Sequence, residues 1–131
     1  MESFLSEVSK VLREESSALI SVGGAAAKWG QAWSKLGLDF YQFHIYDWVN
    51  QHFPYSKPPT AFGQFDKPVV MGEYPMNGLT GVPVPDMIES WFQNGYGGDL
   101  GWSVTDSSFK WDSSKVSLAE AAAKHSCEMK F

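Results

Sequence analysis

Apolar residues along this chain alternate between helical spacing and short continuous runs. Phe4, Leu5, Val8, Val11 and Leu12 recur every three or four positions, with Glu2, Glu7, Lys10, Arg13 and Glu14 around the rest of the turn, which predicts an amphipathic helix over residues 3–16. Residues 18–22 (ALISV) read as a short strand stopped by Gly23 and Gly24, and Trp29, Trp33 and Leu36 mark a second helical face ending at Gly37. The β-rich stretch 39–46 (DFYQFHIY) is a second strand. Pro54, Pro58, Pro59 and Gly63 make residues 47–66 a loop, with room for a turn at 61–65. Residues 68–72 predict a third strand. Val84, Met87, Ile88, Trp91 and Phe92 then define a helix with Pro85 in its first turn and Asp86 and Glu89 near its positive end. Residues 94–98 (NGYGG) close it, residues 99–104 (DLGWSV) form a fourth strand, and residues 115–128, rich in Ala, Glu and Lys, a last helix.

Strand starts near positions 18, 39, 68 and 99 leave room for a crossover between each pair, so the sheet is expected to be parallel. One α/β domain over residues 1–131 suits this length. Two architectures fit: a small doubly wound domain, or half of a (β/α)8 barrel. No GxGxxG follows the first strand, and Gly23-Gly24-Ala25 is too little to cradle a phosphate.

Composition narrows the functions. With 44% hydrophobic and 19% charged residues, the chain is globular rather than disordered. A net charge of −5 and ten scattered basic residues give no nucleic-acid footprint. Every apolar run is interrupted before the length of a membrane span, so a soluble protein is expected, and the N-terminus lacks a secretory pattern, which leaves the compartment open. A single cysteine, Cys127, excludes an internal disulfide. His44 and His52 lack Cys or carboxylate partners at ligand spacing, so neither a metal nor another cofactor is expected, and His125 reads as a surface residue of the last helix. Six Trp, nine Phe and five Tyr exceed what a small core needs and point to a shared core or an aromatic binding surface. Trp29, Trp33, Trp91 and Phe92 sit on helical faces and read as core.

Chemistry gathers at the strand ends. The third strand ends on Glu73, between Gly72 and Tyr74-Pro75, and the carboxyl ends of parallel strands are where such sheets place reactive groups. Alternation puts His44 and Tyr46 on one face of the second strand, and the fourth strand delivers Trp102. On one rim, a carboxylate beside a tyrosine hydroxyl and a histidine suits a nucleophile acting on a sugar, with a tryptophan face for the ring to stack on. Trp48, Phe53, Tyr55, Phe62 and Tyr74 lie in the expected rim loops, available for sugar stacking or for packing of the loop on itself.

The segments ALISVGG, DFYQFHIYDW, KPVVMGEYP and GGDLGWSVTD resemble, in order, strands five to eight of the clan A glycoside hydrolases, the barrel enzymes that include cellulases and β-mannanases. The resemblance runs from about residue 18 to 106 and implies the C-terminal half of a (β/α)8 TIM barrel, four parallel strands with flanking helices. It implies Glu73 as nucleophile of a retaining mechanism, Tyr46 as its hydrogen-bond donor, His44 beside the reacting sugar, and Trp102 as platform, with Trp48 and Tyr74 as further substrate contacts. It also places the Trp102–Ser103 bond where such enzymes often hold a non-proline cis peptide.

The sequence departs from that family in one decisive respect. The family's general acid/base is a Glu that follows an Asn, and no Asn-Glu pair occurs here; Asp47, Asp99 and Asp106 are spare acids with no position that argues for that role. A nucleophile-bearing half acting on β-glucan or β-mannan, inactive alone, is therefore expected. The alternative is a non-catalytic carbohydrate-binding or structural unit. Two bare sheet edges further imply a partner, either a second copy closing a homodimer or a complementary N-terminal half-barrel.

Overall fold

The computed structural model describes residues 1–103, 105–108 and 111–125. Four strands, β1 (Gly23–Gly24), β2 (Tyr41–His44), β3 (Val69–Pro75) and β4 (Asp99–Trp102), pair in the order β1-β2-β3-β4, every pair parallel. The helices are α1 (Glu2–Glu15), α2 (Asp47–Asn50), α3 (Val84–Gln93) and α4 (Trp111–Lys124), with 3-10 turns at Ala27–Trp33 and Pro59–Ala61. Sequential parallel pairing with a connection between each pair is the arrangement expected of a segment of a (β/α)8 barrel.

Alternation along the strands divides the sheet into two unequal faces. Tyr41, Phe43, Val69, Met71 and Tyr74 are buried and pack with Val84, Met87 and Trp91 of α3 in a single core. Phe65 lies against Tyr41 and Phe43, with ring centroids 5.1 and 5.6 Å away. Gly30 is needed there, since a Cβ would stand 2.7 Å from the Phe43 ring and 2.5 Å from Phe65. On the other face Gln42, His44, Val70 and Glu73 are half-buried. Gln42 lies over Gly72, and His44 over Gly23, where a Cβ would come 3.2 Å from the imidazole Nε2.

Several expected elements differ in the structure. Residues 18–22 make no ladder, and β1 is confined to the two glycines. The Ile20 N–H instead donates to the Asp39 carboxylate at 2.7 Å, and the Asp39 N–H returns a bond to the Ile20 carbonyl at 2.9 Å. The Ile20 amide and the Arg13 guanidinium, 2.8 Å away, hold Asp39 below the usual carboxylate range. The expected second helix is a 3-10 segment with Gly30 at its centre, consistent with glycine's poor support for an α-helix. Trp29 is exposed rather than core, with the Lys28 ammonium 5.0 Å from its ring centre. The third strand continues through Glu73 to Pro75, and the last helix spans Trp111–Lys124 rather than residues 115–128. Cys127 and Val104 lie outside the described residues.

Helix α1 contacts the body through an unexpected side. Ser9 is buried and its hydroxyl reaches the Leu36 carbonyl at 3.4 Å, while Arg13 reaches the Gly37 carbonyl at 2.7 Å. The apolar stripe of Phe4, Val8, Val11 and Leu12 is exposed.

His125 is buried, 7% exposed, not a surface residue. Its ring stacks on Phe92 at 3.7 Å, and both its Nε2 and the Lys124 ammonium approach the Glu89 carboxylate, at 3.0 and 2.6 Å. The Lys124 bond, followed by those from Gln93 and His125, lowers Glu89 from 4.5 to about 2. A carboxylate whose folded pKa lies below its unfolded value stabilises the fold above the unfolded value and loses that contribution as pH falls. Acidification from about pH 4.5 towards pH 2 is therefore expected to weaken the α3–α4 contact. Amide exchange of α4 should accelerate across this window, and Glu89→Gln should flatten the dependence.

Candidate active site

The parallel register brings the ends of β2, β3 and β4 to one rim: His44 pairs with Glu73, and Pro75 with Trp102. Ladder irregularities between Phe43 and His44, and between Met71 and Tyr74, flank Glu73. Irregularities of this kind re-aim side chains next to sites. The Tyr46 hydroxyl donates to Glu73 Oε1 at 2.6 Å, and His44 Nδ1 lies 3.6 Å from Glu73 Oε2. Burial, followed by the neighbouring Glu73 carboxylate, pushes the Tyr46 phenol well above its ordinary range, so it stays a donor. The Glu73 side chain is 23% exposed, oriented by a phenol on one oxygen yet open to an approaching electrophile.

Trp102 stands at the end of β4, 43% exposed, and the peptide bond that follows it, to Ser103, is cis, as expected. Its indole N–H donates to Asp106 at 3.3 Å. Trp48, in the first turn of α2, is also exposed. His44, Tyr46, Glu73 and Trp102 thus share the rim, with Trp48 just beyond the end of β2.

Tyr74 does not belong with them, contrary to expectation. Because β3 continues past Glu73, Tyr74 points to the opposite face, where it is 0% exposed and packs edge-on against Trp91 at 4.9 Å. Its hydroxyl donates to Asp99 at 2.7 Å. Burial raises both the Tyr74 phenol and the Asp99 carboxyl above their usual ranges. Of the loop aromatics, Phe53 and Phe62 pack edge-on at 5.9 Å, so that loop folds on itself.

Two of the three spare acids are engaged elsewhere. Asp99 accepts from Tyr74, and Asp47 accepts from the Thr80 amide at 2.8 Å and its hydroxyl at 3.0 Å, tying α2 to the loop after β3. Asp106 joins the Trp102 end of the rim through its bond with the indole, a tertiary contact that carries no sequence signal. Among the described residues no group of three or more potential ligands could hold a metal ion, and no helix is long and apolar enough to cross a membrane.

No protein-family model matches the chain. The mannan endo-1,4-beta-mannosidase of Mytilus edulis is 40% identical over 75 residues, which cover 55% of this chain and 20% of that protein. Among solved structures, the Mytilus edulis β-mannanase superposes with a TM-score of 0.67 at 24% identity, covering 90% of this chain and 40% of that one. The Aplysia kurodai β-1,4-mannanase superposes with a TM-score of 0.71 at 19% identity, covering 91% and 40%. The Eisenia fetida endo-1,4-β-mannanase gives 0.62 at 22% identity, covering 79% and 34%. The chain thus spans a fifth of the curated relative and about two fifths of the solved ones. Its architecture is that of part of a (β/α)8 barrel, as in the β-mannanases on which it superposes.

Proposed function

We propose that this chain is the nucleophile-bearing half of a retaining glycoside hydrolase site for β-1,4-linked mannan, completed by a second half-barrel. The observation that carries the reading is the Glu73 carboxylate, held by Tyr46 at 2.6 Å and flanked by His44 on the rim that presents Trp102. In the reaction, a Glu73 oxygen attacks the anomeric carbon of a sugar stacked on Trp102 while the glycosidic oxygen leaves with a proton from a general acid. Water then hydrolyses the glycosyl–Glu73 ester. Tyr46 keeps Glu73 oriented before attack. Retention requires the second carboxyl group about 5–5.5 Å from the first. Asp47 and Asp99 are committed to other partners and Asp106 to the Trp102 platform, which supports an acid supplied from outside this chain.

The open surfaces favour a half-barrel partner. Leu19, ahead of edge strand β1, is 73% exposed and Leu100, on edge strand β4, 58% exposed, and Phe4, Val8, Val11 and Leu12 of α1 are exposed too. A second copy related by a two-fold axis would set an α1 and an α4 together at each seam, where a (β/α)8 barrel takes one helix between strands. A complementary half that ends on a strand avoids that conflict. An isolated unit of this kind is expected to be inert on β-mannan and β-glucan. Light scattering on size-exclusion fractions, each assayed on both polymers, tests this. A monomer without hydrolysis agrees with the reading, an active dimer would transfer the completing role to a second copy, and an active monomer would overturn it.

A further inference from the structure

We propose that Asp106 is a positioning residue that fixes the rotation of the Trp102 indole against the Glu73 site. The inference rests on the reading of this rim as a β-mannan site. Trp102 projects from the end of an edge strand and is nearly half exposed, so packing alone leaves its ring free to turn. What restrains it is a set of hydrogen bonds made by Asp106 to Trp102, Ser103 and Ser108. The indole N–H donates to Asp106 Oδ2 at 3.3 Å. The other carboxylate oxygen, Oδ1, accepts the Ser108 N–H at 2.8 Å, and the Asp106 N–H donates to Ser103 Oγ at 3.1 Å. The Asp106 carboxylate is thus tied to Ser108 and its backbone to Ser103, and the carboxylate holds the indole by its one polar edge.

The charge of this arrangement fits the role. The Ser108 amide first, and the indole as well, hold the Asp106 carboxyl below its usual range, so it is ionised at neutral pH and its bond to the indole is charge-assisted. A ring ordered before a sugar arrives need not be ordered by it, and affinity gains accordingly.

The test is a double-mutant cycle between Asp106→Ala and Trp102→Phe in the full chain labelled with 5-fluorotryptophan. The fluorine signal of residue 102 is the one lost in Trp102→Phe. Asp106→Ala is expected to shift that signal and to weaken binding of β-1,4-linked mannotetraose roughly 3- to 10-fold. In the Trp102→Phe background, which has no indole N–H to hold, the same substitution should cost no further affinity. An unchanged fluorine signal, or an equal loss of affinity in both backgrounds, would overturn the proposal. If the unsubstituted chain binds neither mannotetraose nor cellotetraose, the sugar reading fails, and the fluorine signal alone still decides whether Asp106 holds the ring.

Discussion

Replacing Trp91 with Ala is expected to destabilise the chain by about 3–5 kcal/mol, the range for removing a large buried aromatic. Trp91 is among the largest fully buried side chains and meets Tyr74 edge-on at 4.9 Å. Among the described residues its indole N–H finds no acceptor, so the loss comes from packing rather than from a broken hydrogen bond. Domains of this size are stable by only about 5–15 kcal/mol, so the variant should unfold at a much lower urea concentration. Trp91→Phe, which keeps a ring against Tyr74, should recover part of the loss. The site should suffer too: Tyr74 is the residue after Glu73, and its contact with Trp91 is the far side of the strand that aims the Glu73 carboxylate. Urea titrations followed by circular dichroism measure the effect directly.

Replacing Glu73 with Gln is expected to abolish turnover in whichever assembly of this chain cleaves β-mannan, by roughly 10^4-fold or more. The amide keeps the shape of the carboxylate, and its oxygen can still accept the Tyr46 O–H, so the rim should persist. It cannot form the glycosyl ester. Binding of mannan oligosaccharides should change by less than about tenfold, since stacking on Trp102 does not require the charge. Rates and affinities measured on the same preparations separate the two effects. Lost turnover with retained binding marks a nucleophile, whereas loss of both marks a disturbed rim.

The hydrophobic pattern was most informative where local rules and tertiary contacts agree. The parallel strands, the helix with Pro85 in its first turn, and the convergence of His44, Tyr46, Glu73 and Trp102 all follow from apolar runs and alternation. Where the pattern misled, a long-range contact decided the outcome. Asp39 takes the Ile20 amide from across 19 residues, so residues 18–22 make no ladder. Continuation of β3 past Gly72 turned Tyr74 inward, which no count of apolar residues distinguishes from a loop aromatic. His125 became buried through Phe92 and Glu89, on a helix distant in sequence. Helix α1 shows amphipathic spacing, but spacing does not say what its apolar stripe faces: Leu5 packs against the core while Phe4, Val8, Val11 and Leu12 are exposed.

The central claim, that Glu73 is a glycosidase nucleophile lacking its acid partner, can be tested without the missing half. A 2-deoxy-2-fluoro-β-mannoside with a dinitrophenolate leaving group needs no protonation to depart. Attack by Glu73 would expel the phenolate and leave a slowly hydrolysed glycosyl ester. Incubating the chain with this reagent, digesting it and mapping the peptides by mass spectrometry should find one sugar on the peptide that contains Glu73, and none on the Glu73→Gln variant. An unlabelled chain, or a label on another residue, would contradict the account.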